Sequence, residues 1–425
     1  METQVGTTPL RRRELWLGVG PARVAFSFED LCRHTMVFGS SGSGKTTRAF
    51  NPLMQAILRD LKAGAFIIAP KSEAVDEAVE MARRAGRPAI VVTPGGEAGF
   101  DLLSGNPDID AMYLRDALGR TGDDNKPYIE AAVARLKNAL RMLQAAGPQY
   151  YNLEHLTEYC FDEKFAVTAR LLAVSKLRGL DPDSEGAWTV REAMSYEDSR
   201  FLQFTPETRR AVLFMVAQLL EPLRDVRITR TFASKRSLFP MESVFDGAVI
   251  VLHVPRTRYE RAAQAIYTLA KRRFFTALEN RRANPEYDQT RPVLFAVDEY
   301  QLCISESDIQ SLGIIRSAGC MVLAATHGLS SLYSVLPRPL VDAAVQNFTQ
   351  KLFFKTDDHE TLALLERATR NADETIDSRR LFAMHRNQAV CHLTCGDDSV
   401  DGVLDVEPLF VTPDCFHEFD RAEAS

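Results

Sequence analysis

Residues 39–46, Gly39-Ser40-Ser41-Gly42-Ser43-Gly44-Lys45-Thr46, satisfy the pattern GxxxxGK[ST], and Thr47 follows. Small residues ahead of one cation suit a particular chemistry. A triphosphate brings several negative charges, and backbone amides can wrap it only where side chains are missing. The loop is therefore expected to cradle ATP, with Lys45 reaching the β- and γ-phosphates and Thr46 binding Mg²⁺. The apolar residues 36–38 read as the strand that must precede such a loop, and the segment from Gly44 as the helix that must follow it.

A loop of this kind calls for an acidic partner at the end of another apolar strand. The run VLFAVDEY supplies one: residues 293–297 are apolar, and Asp298 and Glu299 follow. Asp298 is expected to hold the Mg²⁺ through its water shell, and Glu299 to polarise the attacking water. A capped strand end looks the same in isolation; the pairing with the phosphate loop gives the motif its meaning. The run CMVLAATH ends at Thr326-His327. His327 is a catalytic candidate that senses the γ-phosphate if its strand neighbours both motif strands, and otherwise a polar residue closing a buried strand. Arg316, just upstream, reads either as an arginine finger completing a neighbouring subunit's site or as a solvent-facing residue.

The elements that must position these groups are legible as a pattern. Short apolar runs alternate with helical periodicity over residues 34–145, which is the grammar of an α/β protein with a parallel sheet and helices on its faces. Ser72 reads as the N-cap of a helix that stops at Gly86. Strand-like alternation then disappears, and Thr205-Pro206-Glu207 has the chemistry of a helix start. Alternation returns with GAVIVLHV, a long helix over 259–282, VLFAVDEY, CMVLAATH and QKLFFKT. The expected organisation is a first part of the sheet domain over 1–146, an all-α insertion over 147–225, and a second part over 226–425.

Composition sets the outer limits. Of 425 residues, 45% are hydrophobic and 25% charged, as in a globular protein rather than a disordered or fibrous one. The net charge of −6 confines any nucleic-acid contact to a local patch. Arg256, Arg258, Arg261, Lys271, Arg272, Arg273, Arg281 and Arg282 offer such a run, to be read as a channel lining or as a solvated face. Seven scattered cysteines without a CxxC pair fit reduced thiols in a cytoplasm. Cys391, His392 and Cys395 read as a strand rather than a metal site. No apolar run reaches the length of about 18 residues that a membrane span needs.

Taken together, these residues resemble the TraG/TraD-like coupling ATPases of conjugation and type IV secretion, in the FtsK/HerA branch of P-loop motors. The likeness rests on HTMVFGSSGSGKT with NPLMQAIL, APKSE, DNKPYIEAAVARLKNAL, VLFAVDEY, IIRSAGCMVLAATHGLSSLYSV and VQNFTQKLFFKTDDHETLALL, and spans most of 30–370. It departs from the family at Ala69-Pro70-Lys71-Ser72, where the family has Asp-Pro-Lys-Gly, and at His327, where it has Gln. The resemblance implies a RecA-like P-loop NTPase domain with an all-α insertion, acting as a homo-hexamer that moves DNA or a relaxase–DNA cargo towards type IV secretion channel components. It implies a cytoplasmic chain recruited to the inner membrane by a partner, since most of the family begin with membrane helices and no such stretch is seen here. Two rival readings are a soluble HerA-like DNA-processing translocase and a nucleotide-gated cargo adaptor with little turnover.

Overall fold

The computed structural model describes residues 14–19, 23–118, 126–232, 239–369, 381, 384–396 and 398–409. Among the described residues, eleven strands occur in chain order: β1 (Leu15–Leu17), β2 (Val24–Phe26), β3 (Thr35–Phe38), β4 (Gly64–Ile68), β5 (Ala89–Val92), β6 (Val249–Leu252), β7 (Val293–Val297), β8 (Cys320–Thr326), β9 (Gln350–Phe353), β10 (Gln388–Cys395) and β11 (Asp398–Asp405). β1 and β2 form a two-stranded ribbon. The other nine make one sheet in the order β11-β10-β9-β3-β8-β7-β4-β6-β5.

From β9 through β6 neighbouring strands are parallel, whereas β10 runs antiparallel to both of its neighbours, β9 and β11. The parallel strands are buried on both faces, which is why they read as continuous Val/Ile/Leu/Phe runs rather than as alternation. One face carries Val37, Ile67, Val251, Leu294, Leu323 and Leu352 into a core with the helices Asn51–Asp60 and Ser72–Arg84. On the other, Phe66 and Phe295 pack against Phe274 and Phe275 of the long helix Arg256–Arg281. That helix carries a kink at Tyr259.

The chain divides into two compact units. The first comprises residues 1–91, 241–253 and 274–425 and carries the sheet; the second comprises 92–240 and 254–273. In the second unit lie the helices Pro107–Leu118, Lys126–Ala146, Leu153–Phe161, Glu163–Leu177, Glu185–Ser195, Pro206–Leu220 and Val226–Phe232. The segment 147–225 falls inside this unit, which extends past it on both sides. Lys126–Ala146 is buried along much of its length, and Arg135 within it binds both carboxylate oxygens of Glu197 at 3.0 and 2.9 Å. Thr205 caps Pro206–Leu220 as its sequence suggests, accepting from the amide of Thr208 at 3.2 Å.

Two local expectations need correction. Ser72 is the first residue of its helix and not its cap. Lys71 holds the cap position in extended geometry with no side-chain cap bond, because an ammonium has no acceptor to offer the helix amides. The basic run 271–282 divides into different environments and is not one channel-facing or solvated set. Lys271, Arg272 and Arg281 are buried. Arg272 sits 3.0 Å from the Asp116 carboxylate, and Arg281 donates to the carbonyls of Arg291 and Ala318. Arg256, Arg258 and Arg261 remain exposed. Cys391, His392 and Cys395 all lie on β10, with His392 Nδ1 2.6 Å from Asp401 Oδ1 on β11. Among the described residues, no helix is long and apolar enough to cross a membrane.

Candidate functional site

The sheet order explains how distant segments meet. β8 lies between β3 and β7, and β4 lies on the far side of β7. Because these four strands are parallel, their C-terminal ends share one edge. That edge gathers Gly39 to Thr47 after β3, Thr326 and His327 at the end of β8, Asp298 and Glu299 after β7, and Lys71 after β4. The condition for His327 to act as a sensor, a strand adjoining both motif strands, is met by β8.

Close packing holds the loop after β3. The Gly39 amide donates to the Thr326 carbonyl at 3.2 Å and the Ser40 amide to the Lys355 carbonyl at 3.1 Å. Gly44 has φ +97°, and a β-carbon there would lie 2.9 Å from the Arg386 carbonyl oxygen, so both conformation and space require glycine. The helix that follows opens with a π-type turn, Thr46–Phe50, before regular geometry begins at Asn51. The carbonyl of Thr47 in this turn accepts from the Leu409 amide at 2.8 Å, tying the residues after β11 to the loop.

Across the edge, Thr46 Oγ1 donates to Asp298 Oδ2 at 2.9 Å. Asp298 Oδ1 is buried and has no hydrogen-bond partner. Burial pushes the Asp298 carboxyl up to about 6, against the opposing pull of Lys45 and of the Thr46 hydroxyl. A buried carboxylate with one oxygen bonded and one unmet has the donor set of a hard-cation site, completed by the hydroxyl beside it.

Glu299 is buried too, and both its oxygens are engaged. Lys71 Nζ lies 3.1 Å from Oε1. Oε2 accepts from Gln301 Nε2 and lies 3.3 Å from His327 Nε2. Burial, with Lys45 and Lys71 nearby, holds His327 below the usual histidine range although Glu299 pulls the other way. His327 Nδ1 lies 3.5 Å from Lys45 Nζ, and since an ammonium can only donate, Nδ1 faces it as an acceptor. Gln301 is held in turn by Thr326 Oγ1, 3.0 Å from its Oε1.

The structure thus assembles Lys45, Thr46, Asp298, Glu299 and His327, with Gly39 to Thr47 around them. Arg316 lies elsewhere. It is exposed at the end of the helix Asp308–Ser317, which leads into the start of β8, at the opposite end of the strands from the loop. Seven residues of β8 at about 3.3 Å each keep it far from its own chain's site. Lys71 and Gln301 belong to the cluster but were not among the site residues expected from the sequence. Lys71 closes an apolar strand as Asp298 and Glu299 do, which was an available signal. Gln301 lies in a 3₁₀ turn after the acidic pair and had none.

No protein-family model matches the sequence, and no curated protein does. Solved structures do match. The chain is similar to the bacterial conjugative coupling protein TrwBdeltaN70 in an unbound form, with a TM-score of 0.67 at 14% identity over 95% of this chain and 91% of that one. It is equally similar to TrwB in complex with ADP and Mg²⁺, with a TM-score of 0.66 at 14% identity and the same coverage. VirB4 of Thermoanaerobacter pseudethanolicus matches with a TM-score of 0.57 at 15% identity, over 94% of this chain and 96% of that one. The chain therefore has the RecA-like fold of the conjugative coupling proteins, as the resemblance in its sequence implied.

Proposed function

We propose that this chain is a Mg²⁺-dependent ATPase that drives transfer of DNA or nucleoprotein, in the manner of the coupling proteins whose fold it shares. One observation carries the reading: Thr46 of the phosphate loop and Asp298 of the acidic strand, far apart in sequence, meet at 2.9 Å beside an unpartnered carboxylate oxygen. Thr46 and Asp298 would hold Mg²⁺, which neutralises charge on the β- and γ-phosphates when bound. The amides of 39–47 and the Lys45 ammonium bind and orient the phosphates. Glu299 takes the part of water-activating base, and His327, which lies between Glu299 and Lys45, reports on the terminal phosphate. Arg316, remote from the site in its own chain, would meet transition-state charge only in an adjacent copy, as a hexameric ring allows.

Phosphate release by the purified chain, measured with and without DNA, tests this reading. Turnover that rises with DNA is expected. Tight ATP binding with no turnover under either condition would instead identify a nucleotide-gated adaptor.

The elevated Asp298 pKa gives a second expectation. Only the ionised carboxylate can serve Mg²⁺, so Mg²⁺-nucleotide affinity should be full above about pH 7 and fall as pH drops through 6, by about tenfold per unit below it. In the free chain the sign is reversed. Protonated Asp298 stabilises the fold below the unfolded carboxyl value, and that contribution is lost as pH rises through 6. Titrating a fluorescent ATP analogue between pH 5 and 8 checks the first effect. Asp298→Asn should remove the Mg²⁺-dependent step and leave only the nucleotide's own titration; a step that survives in Asp298→Asn would exclude this carboxylate as its source.

A further inference from the structure

Lys71 takes one acceptor position on Oε1 of Glu299 and, as a cation there, draws off the basicity an attacking water would need, while the partners of Glu299 are not equally fixed. Gln301 is anchored by Thr326, and His327 sits between Glu299 and Lys45. Lys71 is different. It stands outside its helix at the cap position, its side chain is 59% exposed, and its contact with Glu299 Oε1 is the only hydrogen bond described for its ammonium. Asp298 as well as Glu299 acts on its charge, which places the ammonium within electrostatic reach of the pocket where Thr46 meets Asp298.

A lysine ammonium is a mobile point charge with three donors on a flexible stem, suited to exchanging one anion for another. A terminal phosphate carries more negative charge than a carboxylate and offers more acceptor oxygens. We propose that Lys71 is a ligand of the nucleotide's terminal phosphate which changes partners: it stays on Glu299 when a diphosphate is bound and moves to the γ-phosphate of a triphosphate, freeing Oε1 of Glu299 for the attacking water. The exchange makes the base available only when there is a bond to cleave. This inference rests on the site being a triphosphate site, and no covalent step is added to that reading.

The test is equilibrium binding of ADP and of a non-hydrolysable ATP analogue, each with Mg²⁺, to the full chain and to Lys71→Met. The variant should lose about tenfold or more in affinity for the analogue, the scale of one charge-assisted contact, and stay within about twofold for ADP. Lys71→Arg, which keeps the charge, should retain most of the preference for the triphosphate. A Lys71 that merely braces Glu299 would leave the ratio of the two affinities unchanged, and that result overturns the proposal. So does an equal loss for both nucleotides, which would make Lys71 a general phosphate attractant. If Lys71→Met fails to fold, Lys71→Gln carries the same expectation. A parent chain that binds neither nucleotide would overturn the ATPase reading itself, a failure distinct from an unchanged ratio.

Discussion

Glu299→Gln should bind ATP as the parent chain does and hydrolyse it at least about a hundredfold more slowly. General bases and water-positioning groups contribute on the order of 10²–10⁴-fold, and the amide has neither the charge nor the basicity to do this work. The substitution is nearly isosteric at a buried position. The Gln oxygen can still accept from Lys71, while its amide nitrogen requires Gln301 to turn away, a local change that should leave folding intact. Phosphate release and analogue binding on the same preparation separate the two properties. Near-parental turnover would remove Glu299 from the mechanism, and a loss of binding would show that the carboxylate shapes the pocket rather than the chemistry.

Lys45→Ala should abolish measurable nucleotide binding. Lys45 is 6% exposed, and the hydrogen bond described for its ammonium is the long one to His327 Nδ1 at 3.5 Å. It is a buried cation within electrostatic reach of Asp298 and suited to receive a stronger anionic partner. Removing it leaves the amides of the loop to hold several phosphate charges without a counter-charge. One charge-assisted contact alone is worth about 10–150-fold in affinity, and Lys45 is expected to meet two phosphates. The backbone of the loop is bonded to Thr326 and Lys355 independently of this side chain, so circular dichroism should be unchanged. A folded Lys45→Ala chain that binds ATP within tenfold of the parent would contradict the phosphate-loop assignment.

Much of the fold was legible because burial leaves a local record. A parallel strand covered on both faces is predominantly apolar, so the runs 35–38, 64–68, 249–252, 293–297 and 320–326 announced themselves. Thr205 and Gly86 marked helix ends through chemistry confined to a few residues. Charge was harder to read. Exposed Arg258 and buried Arg272 look alike in a list of basic residues, and what separates them is Asp116, distant in sequence and 3.0 Å away in space. Lys126–Ala146 was legible as a helix, but its apolar positions do not say which unit they will pack into.

The candidate site divides along the same line. The phosphate loop and the acidic pair are contiguous motifs whose chemistry depends on neighbours in the chain, so the sequence alone pointed to Lys45, Thr46, Asp298 and Glu299 as candidates for one kind of site. Strand order is not encoded by any local run. Placing β8 between β3 and β7, and β4 beyond β7, is settled by packing the whole sheet, and only that order brings His327 and Lys71 to the two oxygens of Glu299. The tertiary structure likewise decided that Arg316 stands at the wrong end of its strand to serve its own chain, because seven extended residues separate the two edges of the sheet.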